Sequence, residues 1–132
     1  NIAYGERERE VLAALSGKGL RWREVVLDYT GSTLDKVLDF YRRSTFIPVR
    51  PDRLRIPLTA PVEHVVEEVN RFRPDVIFGY ASHLELIFRT VAARGLAMHR
   101  PAVVLYAGEA MTEPGRRLIR EDFGIAVVAF YN

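Results

Sequence analysis

A chain of 132 residues that is 48% hydrophobic and 27% charged has the make-up of one ordinary globular domain, with enough apolar mass to bury a core. Its net charge is only +2, and despite a pI near 9.2 the basic residues alternate with acids, as in "GERERE" and "GRRLIREDF", so the clustered footprint expected for nucleic acid is missing. The absence of cysteine excludes disulfides, a thiol nucleophile and thiolate metal ligands, while the lack of a ~20-residue apolar run or a signal-peptide pattern argues against a membrane partner and makes the cytoplasm the expected location.

In chain order, "EREREVLAALSGKG" reads as an amphipathic helix ended by Gly17. "WREVVLDYT" reads as a strand entering a Gly-Ser turn, and "STLDKVLDFYRRS" as a helix with Leu34, Val37, Leu38 and Tyr41 on one face. Between Ile47 and Leu58 three prolines predict an irregular, extended stretch with at most a short strand near "LRIPL". "APVEHVVEEVNRF" places Val62, Val65, Val66 and Val69 on one helical stripe, with Pro61 tolerated at the first turn. "PDVIFGYA" is a short apolar run bounded by Pro74 and Gly79, as a fully buried parallel strand requires.

The next helix, "SHLELIFRTVAARG", carries a Ser82/Glu85 capping-box pattern and a closing Gly95. "PAVVLYAG" is a further buried strand, "TEPGRRLIREDFG" a helix stopped by Gly124, and Ile125–Phe130 a last buried strand. Strand and helix alternate with short connections. That rhythm predicts an α/β fold, a three-layer αβα sandwich whose mainly parallel sheet is built from right-handed βαβ units, with Val76–Phe78, Val103–Leu105 and Val127–Ala129 as buried strands. Ligands of such sheets sit beyond the carboxyl ends of the strands. Here those ends read "DYTGST", "GYASH", "YAGEAMT" and "FYN", so Gly, Tyr, hydroxyl and carboxyl groups collect on one edge.

Several familiar chemistries fail on spacing. "TGSTLDK" lacks the second Gly and the Gly-Lys-Ser/Thr ending of a P-loop, and a plain strand-to-helix turn is preferred. His64, His83 and His99 never stand at ligand spacing to one another. His64 and His83 read as helix-surface residues, although His83, at a helix start facing the crevice, is also a functional candidate. Ser82 misses the Gly-x-Ser-x-Gly elbow of a serine nucleophile. What coheres is "YAGEAMT" with "FYN": Ala107 and Gly108 allow close backbone approach to a flat ligand, Tyr131 offers a ring to an aromatic base, and Glu109 brings a carboxylate. Glu109 reads equally well as a helix-entry acid bonded to neighbouring N–H groups.

Taken together, "NRFRPDVIFGYASHLELIFRTVAARGL" and "PAVVLYAGEAMTEPGRRLIREDFGIAVVAFYN" resemble the adenylate-forming (acyl-CoA synthetase) superfamily. The similarity is to its branch of phenylacetate–CoA ligases, capsular polysaccharide biosynthesis proteins and coenzyme F390 synthetase-like proteins. The matching positions are Asn70, Phe72, Pro74, Asp75, Val76, Gly79, Tyr80 and Ser82, then Gly108 and Glu109, then Tyr131, within roughly residues 54–132. Ala81 stands where Pro is usual, Ala107 where many relatives have Gly, and Asn132 where Gly is common.

The resemblance implies a fragment of the large N-terminal domain of an ATP-dependent, AMP-forming acid–CoA ligase, with ATP, Mg²⁺ and CoA as the parent's cofactors and a small carboxylic acid as substrate. It implies nucleotide contacts for Ala107, Gly108, Glu109, Tyr131 and Asn132, and acid-substrate contacts for Tyr80, Ser82 and Tyr106. It leaves room for a homodimeric parent. It also places the phosphate loop upstream and the C-terminal lid downstream of residues 1–132, so the single α/β unit is expected to be inactive alone. The alternative is a self-contained, non-catalytic flavodoxin-like binding or interaction module.

Overall fold

A computed structural model describes residues 22–28 and 52–129. The two helices expected before residue 52, the "TGSTLDK" turn, Tyr131 and Asn132 lie outside these residues. The described elements are β1 (Arg23–Asp28), β2 (Asp52–Pro57), α1 (Val62–Phe72), β3 (Val76–Tyr80), α2 (Ala81–Arg94), β4 (Val103–Ala107), α3 (Glu113–Arg117) running into a π-helical turn (Leu118–Asp122), and β5 (Ala126–Ala129). The strands form one sheet in the order β2-β1-β3-β4-β5, and every pairing is parallel. This is an α/β sandwich, as the alternation of apolar runs and helical stripes predicts.

Strand alternation divides the core in two. Val25, Leu27, Ile77, Val104 and Tyr106 point to the face covered by α1, α2 and α3, where they meet Val65, Val66, Val69, Leu84, Ile87, Phe88, Val91 and Ile119. Val26, Val76, Phe78, Val103 and Leu105 point to the opposite face, with Trp22, and are equally buried. Burial on both faces is why β3 and β4 read as unbroken apolar runs. Each fully buried Val, Leu or Phe contributes about 1.5–3 kcal/mol of transfer free energy.

Three expectations change. The proline-rich stretch holds a six-residue strand, β2, in register with all of β1 from Arg23↔Asp52 to Asp28↔Pro57. Its proline is the last residue of an edge strand, where a missing N–H costs little. The segment Val127–Ala129 is half-buried rather than buried, because β5 is the other edge of the sheet. The helix expected from "TEPGRRLIREDFG" stays α-helical only to Arg117 and then widens into the π turn, which Gly124 at φ 68° ends.

The "NRFRPD" part of the resemblance serves the sheet's amino-terminal end. Asn70 donates to Ala97 O at 2.9 Å and accepts from His99 N–H at 2.6 Å, pinning the α2–β4 loop. Asp75 accepts from Arg23 N–H at 2.9 Å, and its carbonyl accepts from Ala102 and Val103. These residues fix the ends of β1, β3 and β4 on the side away from the strands' carboxyl ends.

Candidate functional site

The strand order reverses direction between β1 and β3, and in open parallel sheets the crevice beyond that reversal is where ligands bind. An open groove of about 630 Å³ lies at this end, lined by Leu58, Tyr80, Ser82, His83, Leu86, Gly108 and Glu109. Its walls come from the residue after β2, the end of β3, the first turns of α2 and the turn after β4.

Glu109 and Ser82 hold the groove together. One carboxylate oxygen of Glu109 accepts the Ser82 backbone N–H at 2.8 Å and also the Ser82 hydroxyl. Ser82 sits in the first turn of α2, whose N–H groups lack helical partners, so the carboxylate also meets the positive end of the helix. The Ser82 hydroxyl and then its backbone N–H hold the Glu109 carboxyl below the ordinary glutamate range, against a small opposing effect of burial. Glu109 is therefore an anion at neutral pH.

The capping box expected of Ser82 and Glu85 does not form. Tyr80 is the residue that precedes the helix, and no side chain caps it. Ser82 instead binds Glu109, and Glu85 reaches Thr112 at 2.6 Å to its N–H. Both are contacts across 27 residues of sequence. Helix α2 starts two residues earlier than a Ser82 cap would have it, at Ala81, and both side chains meet the β4–α3 segment instead.

Gly108 has φ +83°, in the left-handed region that favours glycine. The space a Cβ would take is filled by the Tyr80 ring, whose Cδ1 and Cε1 would lie 2.8 Å from it. Tyr80 thus packs on the turn of the neighbouring strand, its register partner being Ala107. His83 adds an imidazole whose Nδ1 is buried without a hydrogen-bond partner, and burial pushes its pKa below the usual histidine value. A neutral ring beside Leu58 and the exposed Leu86 gives this wall of the groove an apolar character.

Of the residues expected at the site, the structure brings Tyr80, Ser82, Gly108 and Glu109 together, with half-buried Ala107 just behind them. Tyr106 goes elsewhere. It is buried on the helix-covered face, and its hydroxyl meets Arg116 at 2.5 Å while the guanidinium lies over its ring at 5.6 Å. Leu58 and Leu86 were not anticipated. Leu86 could have been, since it is a large apolar residue off the buried stripe of α2. Among the described residues no group of three or more His, Asp or Glu could hold a metal ion, and no helix is long and apolar enough to cross a membrane.

The two titrating groups of the groove act in the same direction on stability. Both have folded-state pKa values below their ordinary ones, so the stability they contribute is present above the ordinary values and lost as pH falls through the lowered ones. The urea midpoint is expected to fall on acidification. The Glu109→Gln variant should show a shallower fall below the ordinary glutamate range, and an unchanged profile in that variant would contradict the assignment.

No family model matches the chain, and no curated protein matches it. Solved structures share its fold. An open conformation of 2-hydroxyisobutyryl-CoA ligase in complex with 2-HIB-AMP and CoA superposes on 90% of this chain with a TM-score of 0.59 at 14% identity. The A-PCP didomain of carboxylic acid reductase from Segniliparus rugosus, in complex with AMP, covers 96% of it at 0.53 and 12% identity. A cobalamin-binding protein from Desulfitobacterium hafniense DCB-2 covers 80% at 0.51 and 12%. The chain spans only 30%, 18% and 52% of those three proteins, respectively. At such identities the likeness establishes a common fold, an all-parallel α/β domain.

Proposed function

We propose that this chain is part of the large domain of an ATP-dependent carboxylate-activating enzyme of the phenylacetate–CoA ligase kind. The observation that supports this most is the Ser82–Glu109 clasp, which joins the "GYAS" and "AGE" motifs at one groove at the carboxyl ends of β3 and β4. Two of the proteins sharing the fold are held with an acyl-AMP and CoA, or with AMP, which agrees with a parent acting on a small carboxylic acid, ATP and CoA.

In this reaction a carboxylate oxygen attacks the α-phosphorus of ATP, the bond to the β-phosphate oxygen breaks, and pyrophosphate leaves. The CoA sulfur, having lost its proton, then attacks the acyl carbon and AMP departs. Both steps depend on aligning anions rather than on a protein nucleophile. Here the exposed backbone of Gly108, with Ala107 and Glu109, would border the nucleotide together with Tyr131 and Asn132. Tyr80, Ser82 and the apolar pair Leu58 and Leu86 would border the acyl group. Mg²⁺ would supply charge neutralisation of pyrophosphate, and Glu109, already engaged by Ser82, is not by itself a site for it.

The strand order β2-β1-β3-β4-β5 is also that of flavodoxin-like modules, and the cobalamin-binding protein shares the fold. This supports a second reading, a non-catalytic binding module. The deciding experiment is carboxylate-dependent ATP–pyrophosphate exchange by the complete protein that contains this sequence. Exchange with aryl or alkyl acids is expected. Its absence across such a panel, with a spectral shift on adding a corrinoid or flavin, would favour the module. In the same protein Tyr131→Ala should weaken ATP binding about 10- to 100-fold, since base stacking contributes ~1–3 kcal/mol and each 1.4 kcal/mol is tenfold. An unchanged dissociation constant would remove Tyr131 from the nucleotide site.

A further inference from the structure

Glu85 is a buried carboxylate, 7% exposed, on the inner face of α2 and outside the groove. Burying a charge is costly unless it is fully paired, and this one is paired almost entirely with a single segment. Its Oε1 accepts the Thr112 N–H at 2.6 Å and the Thr112 hydroxyl at 2.9 Å. Arg89, one helical turn on, approaches Oε2 at 3.3 Å. The Thr112 hydroxyl in turn accepts the Gly115 N–H at 3.1 Å and so starts α3. A side chain at Gly115 would collide with the Glu85 carboxyl group and with its Cγ, 2.6 Å away. While Glu85 holds this place, position 115 has no room for a side chain.

Two carboxylates thus cross between the same two pieces of backbone in opposite directions. Glu109 reaches from the β4–α3 segment to the start of α2, and Glu85 reaches from α2 to the end of that segment. Only residues 110 and 111 separate the two anchored positions, Glu109 and Thr112. Met111, between them, is buried in the helix-side core. Two residues leave little slack between the anchors.

We propose that Glu85 is a positioning residue, which by holding Thr112 sets the place of Gly108 and Glu109 in the groove. It lies outside the groove lining and acts through the backbone of residues 108–112. This rests on reading the groove as the functional site, whereas the coupling itself can be measured without any ligand. The Ser82 amide donates to Glu109 and not to Glu85, so its NMR shift reports the Glu109 carboxylate once the step of the neighbouring His83, followed through its own ring resonances, is separated from it. In the unmodified protein this amide should titrate with a midpoint below the ordinary glutamate range.

In Glu85→Ala the midpoint is expected to rise toward that range and the amide to lose its hydrogen-bonded shift. Glu85→Gln, which keeps an oxygen for Thr112, should restore most of both. Gly115→Ala should reproduce the Glu85→Ala effect with the carboxylate present, because the new methyl group displaces it. In the Glu85→Ala background the same Gly115→Ala change should have no further effect. An unaltered Ser82 titration in Glu85→Ala or in Gly115→Ala would overturn the proposal. Should neither variant fold, hydrogen exchange in the unmodified protein decides: Ser82 and Thr112 amides are expected to open together, and independent opening refutes the coupling. A failure of pyrophosphate exchange in the complete protein would leave all these outcomes unaffected.

Discussion

Gly108→Val is expected to disable the groove. A β-branched residue at φ +83° carries about 1–3 kcal/mol of backbone strain, and its Cβ would sit 2.8 Å from two atoms of the Tyr80 ring. The ring must leave, and with it the wall joining β3 to β4. Ligand affinity in the complete protein should fall by at least tenfold, which 1.4 kcal/mol suffices to cause. Gly108→Ala should lie between, since it shares the clash at Cβ but lacks the branch. Titration calorimetry with an acyl-adenylate analogue, beside a urea unfolding curve, separates loss of the groove from loss of the fold. Wild-type affinity in Gly108→Val would mean that Tyr80 does not shape the site.

A large effect on stability is expected at Phe88. This residue is 1% exposed and packs edge-on against Phe123, with centroids 5.0 Å apart and rings at 75°. It joins α2 to the turn that precedes β5. Phe88→Ala should cost about 3–5 kcal/mol, transfer and cavity together, a large share of the roughly 5–15 kcal/mol typical of a domain. Phe88→Leu should recover more than half of the loss. Both are read from urea midpoints at constant slope, and a midpoint shift in Phe88→Ala no larger than in Phe88→Leu would show that the contact is dispensable.

The unit β3–α2–β4 was legible because burial on both faces leaves apolar runs that only a parallel sheet explains, and because Gly95, at φ 61°, ends α2 as its position suggests. Strand β2 was only partly legible, as a short strand near "LRIPL", because prolines surround it. Pro57 closes the strand rather than interrupting it, and Pro51 stands before it in sequence. The capping pattern of Ser82 and Glu85 misled for a different reason. It is a local signal, and local partners lost to Glu109 and Thr112, both 27 residues away. Tyr106 was placed by its neighbours in sequence, yet strand alternation already puts it on the same face as Val104 and away from Ala107. The convergence of Tyr80, Ser82, Gly108 and Glu109 follows from the rule that parallel strands gather their carboxyl ends, and needed no knowledge of side-chain contacts. The apolar wall of Leu58 and Leu86 depends on how α2 is rotated over the sheet, which no local pattern encodes.

The all-parallel pairing also biases the order of assembly. A parallel neighbour is reached only after a full crossover, so each pairing closes a loop whose entropy must be offset before contacts form. Val103 finds Ala126 after 23 residues and Val76 finds Val103 after 27, whereas Glu24 meets Val76 only after 52. Closing the longest rather than the shortest costs roughly 0.7 kcal/mol more by loop-closure scaling. The β3–β4–β5 arm is therefore expected to zip first, with β1 docking onto it last. That last seam is the one at which the strand order reverses, so on this order the groove, whose wall includes Leu58 after β2, is completed only when β1 and β2 dock.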